Sequence, residues 1–397
     1  MVDFKASKPP GAFSSVVHSL VPLYFAVFHR DMQIRVTRKT LSLFRSLQKD
    51  NVIICPNHSH HEDAEIIYWL SCITQQHFSI LTAREMFERY GHVAGPILQR
   101  LGCYSVLRGV RDSDAVRFTE HLLEHGPTKL VIFPEGEISF DSSKINPLQE
   151  GAVRMGLESC QHLLQHHKPA DIYVLPLAIS YKYSSEIDSA CRKSLRQLEQ
   201  KLALPEDENR DLRQQAFAVA QELVASKERH WQVRTTGTFD SRVKGLVKAC
   251  IQNCAERLKR KTSHQANPIS QLHSLQAAVL ELKVSANRDS LSASELSEIE
   301  RSLADTIVLS SLRADRFAQT ADAESFVEAL AVLEEILLGK PTAKGPRRIL
   351  IKAAEPVNLL DYIQDFHHNR TATVDAVTNL LTARLRRSLA VDASYHP

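Results

Sequence analysis

The first half of the chain alternates between short apolar runs and amphipathic segments, and this alternation constrains the fold more than any other feature. Residues 52–55 (VIIC) form a run with the length of a buried strand. In the segment that follows, Ile66, Ile67 and Leu70 recur at helical spacing. Strands that alternate with helices predict an α/β fold in which helices cover both faces of a sheet. The predicted strands of this half are residues 52–55, 78–82, 104–107, 130–133 and 172–179.

The second half is predicted to be largely helical. Residues 184–343 are rich in Gln, Glu, Ala, Leu, Arg and Ser and carry helical periodicity throughout. One more strand-like run, residues 348–352 (RILIK), follows this block. A strand is not stable alone, because its backbone groups need the hydrogen bonds of a sheet. We therefore predict that it returns to the first sheet.

These patterns predict a discontinuous organisation of the 397 residues. Residues 35–183 together with 344–397 are expected to form the α/β domain. Residues 184–343 are expected to form a helical insertion or a carboxyl-terminal lobe. Such a chain is long enough for two or three compact units with sizeable cores.

The amino-terminal segment, residues 1–34, contains an apolar stretch at 12–28. It is shorter than the roughly 20 residues of a spanning helix, and His18 and Pro22 interrupt it. Two interpretations stay open: a helix docked on the core, or an apolar surface that lies in a membrane interface. We expect a peripheral protein of the cytoplasm, associated with the inner face of a membrane.

The composition indicates which classes of partner and which redox compartment to expect. The 49 Lys and Arg residues nearly balance the 46 Asp and Glu residues, so the net charge of +3 gives no reason to expect a nucleic acid partner. The seven cysteines are scattered and odd in number, which indicates reduced thiols rather than a disulfide framework.

The densest group of reactive side chains is the segment 56–63 (PNHSHHED), between a predicted strand and a predicted helix. Open α/β sheets place their chemistry at the carboxyl ends of strands. The spacing of His58 and Asp63 can bring the carboxylate onto the imidazole, which would then take a proton from a hydroxyl. This pair includes no enzyme nucleophile, so it suits a reaction in which the acceptor substrate supplies the attacking oxygen.

Two other interpretations of this segment stay open. Asp63 could cap the helix that follows. Alternatively, His58, His60, His61 and Asp63 could bind a metal ion in a metal-dependent hydrolase.

Asn57-His58-x4-Asp63 resembles the first motif of the glycerolipid acyltransferase family, the PlsC-type lysophospholipid acyltransferases. Three further blocks resemble those of the family and occur in the same order, over roughly residues 35–182. They are residues 102–108 (GCYSVLR), 133–136 (FPEG) and 174–178 (VLPLA). Residues 348–359 also resemble the last core strand of the family, with its Glu-Pro ending.

The resemblance implies a glycerol-phosphate acyltransferase-like fold, a mixed sheet flanked by helices, and an acyltransferase enzyme of phospholipid biosynthesis. It implies transfer of a fatty acyl group from acyl-CoA or acyl-carrier protein to a lysophospholipid or glycerol-phosphate hydroxyl, most closely 1-acyl-sn-glycerol-3-phosphate. His58 would be the general base and Asp63 its partner, with no metal and no other cofactor. The implied substrate-binding residues are Asn57, Arg108, Phe133, Pro134, Glu135, Gly136 and Pro176.

The third block departs from the family pattern. The family continues with Thr-Arg-Ser after Glu-Gly, whereas this chain has Glu137, Ile138 and Ser139. The second phosphate-binding arginine of the family is therefore missing. An acyltransferase with a non-glycerophosphate acceptor stays open, and Lys144, Arg154 or Arg111 could supply the charge.

Overall fold

A computed structural model describes residues 4–89, 91–110, 112–183, 187–205, 211–261, 267–284 and 291–390. The chain divides into two compact units. One consists of the described residues of 4–107, 112–182 and 347–397, and the other of those of 108–111 and 183–346.

The first unit is built on one eight-stranded sheet in the order β1-β7-β6-β2-β5-β3-β4, with β8 beside β6. The β1–β7, β6–β2, β2–β5, β5–β3 and β3–β4 pairs are parallel, and β8 is antiparallel to β6. This confirms the predicted mixed α/β sheet. The strands are β1 (Met32–Val36), β2 (Asn51–Pro56), β3 (Phe78–Ala83), β4 (Cys103–Val106), β5 (Lys129–Val131), β6 (Ile172–Tyr183), β7 (Arg347–Ala353) and β8 (Val357–Asn358).

Helices cover both faces of this sheet because successive side chains of its strands point to opposite sides. On β2, Val52 and Ile54 belong to one apolar cluster and Ile53 and Cys55 to the other. The helices of this unit are α1 (Ala12–Phe28), α2 (Arg38–Ser46), α3 (Asp63–Thr74), α4 (Glu85–Arg89), α5 (Gly91–Arg100), α6 (Ser113–Glu124), α7 (Gly151–Gln165), α14 (Ile363–His368) and α15 (Arg370–Ala390), with a 3-10 helix at Leu359–Tyr362.

The second unit is helical in its described residues. One of its apolar clusters lies between α10, α11 and α12 and includes Ile251, Leu275 and Leu303. A buried ion pair stabilises the region after α13: the Lys344 ammonium donates to both carboxylate oxygens of Glu334, at 2.7 and 2.8 Å. The helices of the second unit are α8 (Asp188–Leu202), α9 (Leu212–His230), α10 (Phe239–Arg257), α11 (Pro268–Val284), α12 (Ala293–Leu309) and α13 (Ala323–Leu338), with a 3-10 helix at Ala314–Phe317.

Strand β7 joins the end of the chain to its beginning. It lies between β6 and β1, and Met32 of β1 pairs with Arg347 of β7. Sequence patterns did not indicate β1, whose residues MQIRV alternate between half-buried and exposed positions. An alternating strand of five residues gives a weaker signal than the continuous apolar run of β2.

The N-terminal helix α1 packs one side on its own unit and leaves the other exposed. Val21 and Phe25 are buried in the cluster that contains α3. Phe13, Val16, Leu20, Leu23 and Val27 are 44%, 58%, 53%, 61% and 44% exposed. Across the described ranges, no helix combines the length and the apolar character that a membrane span needs.

Deleting residues 344–397 should yield insoluble or inactive protein, although every residue of the four sequence blocks remains. The deletion removes β7, so β1 loses its neighbour and an edge of β6 becomes an unpaired strand edge. Solubility and acyl-transfer assays of the truncated chain would measure this, with deletion of residues 391–397 as the control. A soluble and active chain that ends at residue 343 would contradict the expectation.

Candidate active site

The loop that follows β2 connects directly to α3 and carries the segment 57–62. It lies at the carboxyl end of a central strand whose residues 52–56 are all buried. His58 is a partly buried member of this loop, with 18% of its side chain exposed. The loop therefore follows a buried strand, and its imidazole at His58 remains partly accessible.

His58 and Asp63 contact each other as the spacing predicts. Nδ1 of His58 lies 3.1 Å from Oδ2 of Asp63. With the proton on Nδ1 donated to this carboxylate, Nε2 carries the lone pair. An imidazole held in this tautomer can accept a proton from a hydroxyl.

Asp63 organises the turn before the helix. Its carboxylate is fully buried, and Oδ2 also accepts hydrogen bonds from the backbone N–H groups of Ser59 at 2.7 Å and His60 at 2.9 Å. Glu62, not Asp63, occupies the N-cap position. Burial alone would raise the pKa of Asp63, but its hydrogen bond to His58 and the nearby charges lower it below the usual value. The carboxylate is ionised and fixes the loop.

Asn57 joins the loop to strand β6, which extends beyond the point where its pairing with β2 ends. The Asn57 side chain donates to the Ile179 carbonyl at 3.0 Å and accepts from the Ile179 N–H at 2.7 Å. Asn57 is only 1% exposed. Its amide therefore binds the backbone of β6, which makes it a brace for the loop.

Glu135 holds His58 from the other side. Its Oε1 accepts from the His58 N–H at 2.9 Å, and its Oε2 accepts from the Asn146 N–H at 3.0 Å. The N–H of Ser139 donates to the His58 carbonyl at 2.7 Å. Both backbone groups of His58 are thus held by the segment that follows β5.

The other residues of the third block shape this same segment. The Phe133 ring lies against the His58 ring, with centroids 4.2 Å apart. Pro134 is buried and its carbonyl accepts from the Gln149 N–H at 2.6 Å. Gly136 has a φ of 78°, a left-handed conformation that favours glycine. Phe133 thus contacts the His58 ring, and Gly136 closes the turn that follows by donating its N–H to the Phe133 carbonyl at 3.1 Å.

Pro176 and Arg108 belong to other elements of the chain. Pro176 is buried within β6 opposite Cys55, and its carbonyl accepts from the Ala354 N–H at 2.9 Å. Arg108 lies in a turn that belongs to the helical unit, whereas His58 belongs to the α/β unit. The next residue, Gly109, has a φ of 78°, and a Cβ there would come within 2.3 Å of the backbone of His273. The Arg108 turn is therefore packed closely against α11.

The possible substitutes for the missing arginine differ in their environment. Lys144 is exposed. Arg154 forms an ion pair at 2.5 Å with Glu150, one turn earlier. Arg111 lies outside the described residues.

The histidines after His58 are engaged in contacts with protein groups. The His60 ring is buried and stacks on Tyr181 at 3.8 Å, and its Nδ1 lies 3.0 Å from the Ser59 hydroxyl. Burial lowers the pKa of His60 to about 4, so it is neutral. His61 is exposed with its ring edge toward Phe140. In the part of the chain that is described, no three His, Cys, Asp or Glu side chains are arranged to hold a metal ion.

Sequence reasoning missed two residues behind the loop. Tyr181 of β6 donates a hydrogen bond from its hydroxyl to Oδ1 of Asp63. Arg347 of β7 donates to Glu62 at 2.8 Å, and its guanidinium lies 5.9 Å from the Tyr181 ring centroid. A tyrosine at the end of an apolar strand and an arginine at the start of another are ordinary in sequence, so no local signal distinguished them.

Residues 34–180 match the family model described as Acyltransferase. This range contains the His58 loop, the third block around Glu135 and all but the last three residues of β6. No curated protein shows significant similarity to the chain. Residues 34–180 are therefore similar to the acyltransferase family, and this match supports an acyltransferase enzyme.

Glu135→Gln should reduce the dependence of stability on pH. Burial, reinforced by the charges of Asp63 and Asp141, raises the pKa of Glu135 from 4.5 to about 8 despite its two backbone hydrogen bonds. The folded protein then retains a proton that the unfolded chain releases, so the free energy of unfolding falls as the pH rises from about 4.5 to about 8. A glutamine does not titrate, so the variant should lose less stability than the wild type over this range.

Urea unfolding at about pH 5 and about pH 8 would measure this difference. Glu158→Gln, which changes a partly exposed glutamate of α7, is the matched control and should follow the wild type. Equal pH dependence of the Glu135→Gln variant and the wild type would contradict the expectation.

Proposed function

We propose that the protein transfers a fatty acyl group from an acyl thioester, acyl-CoA or acyl-carrier protein, to the hydroxyl of a lysophospholipid or glycerol phosphate. The preferred acceptor of this proposal is 1-acyl-sn-glycerol-3-phosphate. The observation that carries it is the His58–Asp63 pair at 3.1 Å, which leaves Nε2 of an accessible imidazole as the proton acceptor.

In the proposed reaction, Nε2 of His58 takes the proton of the acceptor hydroxyl while the hydroxyl oxygen attacks the thioester carbonyl. The tetrahedral intermediate collapses with cleavage of the C–S bond, and the imidazolium returns the proton to the departing thiolate. Asp63 stabilises the positive charge on His58 between these two steps. The nucleophile comes from the substrate, and no acyl-enzyme forms.

The acceptor proposal rests on charge. Arg108 is our candidate for the phosphate, because a guanidinium matches two phosphate oxygens with a planar fork. The close packing of Gly109 on α11 supports a fixed position for this turn. Because Glu137 and Ile138 replace the Thr-Arg of the family, an acceptor without a glycerol phosphate is the alternative.

The acyl-transfer assay that tests the proposal compares His58→Ala with His61→Ala, its matched control in the same loop. Loss of the base should lower kcat/KM by about 10²- to 10⁴-fold, and the control should retain activity. Asp63→Asn should also lose most activity, since the amide no longer stabilises the imidazolium.

Near-normal transfer by a folded His58→Ala variant would reject the assignment of His58 as the general base. Loss of activity on chelation would favour the metal-dependent hydrolase.

An acceptor panel in the same assay tests the substrate. It comprises 1-acyl-sn-glycerol-3-phosphate, a zwitterionic lysophospholipid and a neutral monoacylglycerol. Arg108→Ala should raise the KM of the phosphate acceptor and leave the KM of the donor unchanged. A preference for the neutral acceptor would instead support the non-glycerophosphate alternative.

We also propose that α1 rests on a lipid surface at the cytoplasmic face of a membrane. The five exposed apolar residues named above recur at intervals of three and four, which places them on one side of the helix. Exposed Lys8 and Arg30 flank the helix and would face anionic head groups. All seven cysteines are free thiols, which supports a reducing compartment. Because the proposed acceptor is a lipid, such a surface would bring the protein to the membrane that contains its substrate.

Leu20→Glu with Leu23→Glu should abolish binding to vesicles of phosphatidylcholine and phosphatidylglycerol. Each leucine contributes roughly 1.5–3 kcal/mol when it leaves water, and a carboxylate reverses this. Vesicle flotation would measure it, with Leu164→Glu, an exposed leucine of α7, as the control. Unchanged flotation would reject the proposal, and a shift from dimer to monomer on gel filtration would identify a second copy of the chain as the occupant.

A further inference from the structure

Tyr181 contacts the site from behind, on the part of β6 that extends past β2. The pairing of β6 with β2 ends at Leu177, opposite Pro56. Two residues further on, Ile179 binds Asn57, and two residues after that Tyr181 reaches Asp63. The alternation of the strand therefore directs successive odd-numbered residues to the same loop.

The two oxygens of the Asp63 carboxylate have separate partners. Oδ2 faces His58 and the two backbone N–H groups of the loop. Oδ1 accepts a hydrogen bond from the Tyr181 hydroxyl. An aspartate χ2 torsion is broad and roughly two-fold, so a donor on each oxygen is what fixes the plane of the carboxylate. That plane decides where Oδ2 meets Nδ1 of His58.

Tyr181 is itself held in place by neighbours from the loop and from β7. It is 1% exposed, with the His60 ring stacked on one side. Arg347 approaches the ring from β7 and pairs with Glu62 of the loop. Burial, and next the negative charge of Asp63, raise the pKa of Tyr181 well above its usual value, so the phenol remains a donor at all working pH values.

We propose that Tyr181 is a positioning residue of this acyltransferase: its hydroxyl orients the Asp63 carboxylate and, through it, the His58 imidazole. This inference rests on the proposed function, in which His58 is the general base. It adds a third residue to the His58–Asp63 pair, supplied by strand β6, which also contains the fourth sequence block.

Tyr181→Phe removes the donor and keeps the ring. We expect kcat to fall about 10- to 100-fold with both KM values within about twofold, since Tyr181 is buried and its hydroxyl binds Asp63. The pH profile of kcat/KM should also change, because the Asp63 carboxylate that contacts Nδ1 of His58 has lost one of its donors. The probes are acyl-CoA and 1-acyl-sn-glycerol-3-phosphate, with the full chain.

Tyr104→Phe is the matched control. Tyr104 is also fully buried in the α/β unit, and its hydroxyl lies 2.8 Å from the Thr119 hydroxyl, away from the site. Both variants should lose similar thermal stability, but the control should keep its kcat and its pH profile. Incorporation of 3-fluorotyrosine at position 181, which retains a donor, should restore most of the activity. Equal kcat and pH profiles for Tyr181→Phe and Tyr104→Phe would overturn the inference.

A second readout separates this inference from the proposed function. In ¹⁵N NMR, the His58 ring should show one tautomer in the wild type, with the proton on Nδ1, and a mixture in Tyr181→Phe. If His58→Ala keeps full transfer activity, the proposed base is wrong, whereas the NMR comparison still decides whether Tyr181 orients the ring. An unchanged tautomer in Tyr181→Phe would reject the positioning role by itself.

Discussion

The buried carboxylate of Asp63 is the interaction on which the rest of the site depends. A charge removed from water is costly unless donors replace its hydration. Here the donors are the His58 imidazole, the backbone of the turn and the Tyr181 hydroxyl. The loop adopts the one path that brings all of them to a single carboxylate. The orientation of the imidazole therefore follows from the hydrogen bonds that the protein donates to Asp63.

The fold could be predicted from sequence where an element is buried on both faces. Strand β2 is a continuous apolar run, and its residues 52–56 are all buried. Burial alternates along β7, but its three consecutive apolar residues, 349–351, still gave a strand signal. The signal is much weaker for β1, in which no two apolar residues are adjacent, and for β8, which has only two residues. The order of the strands is a tertiary property, since it depends on which edges remain free when β7 arrives. No local pattern encodes that order.

The site could be predicted as far as its local spacing allowed. His58 and Asp63 are five positions apart, so a single turn brings them together. The binding roles expected for Asn57 and Glu135 depend on partners far along the chain. Asn57 binds backbone 122 residues away, and Glu135 binds the His58 N–H 77 residues away. The family motif includes these residues without indicating such contacts, and their substrate-binding roles stay predictions.

The position of β7 in the sheet also sets an order of events during synthesis. β1 leaves the ribosome early, yet its sheet neighbour is β7, which is made only after the whole helical region. Until then the nascent chain carries an unpaired strand and a Glu62 that lacks Arg347, 285 residues away. Such distant contacts slow folding and prolong the exposure of strand edges. The helical region has time to fold as a unit before the sheet closes, and the contacts of the His58 loop are completed last.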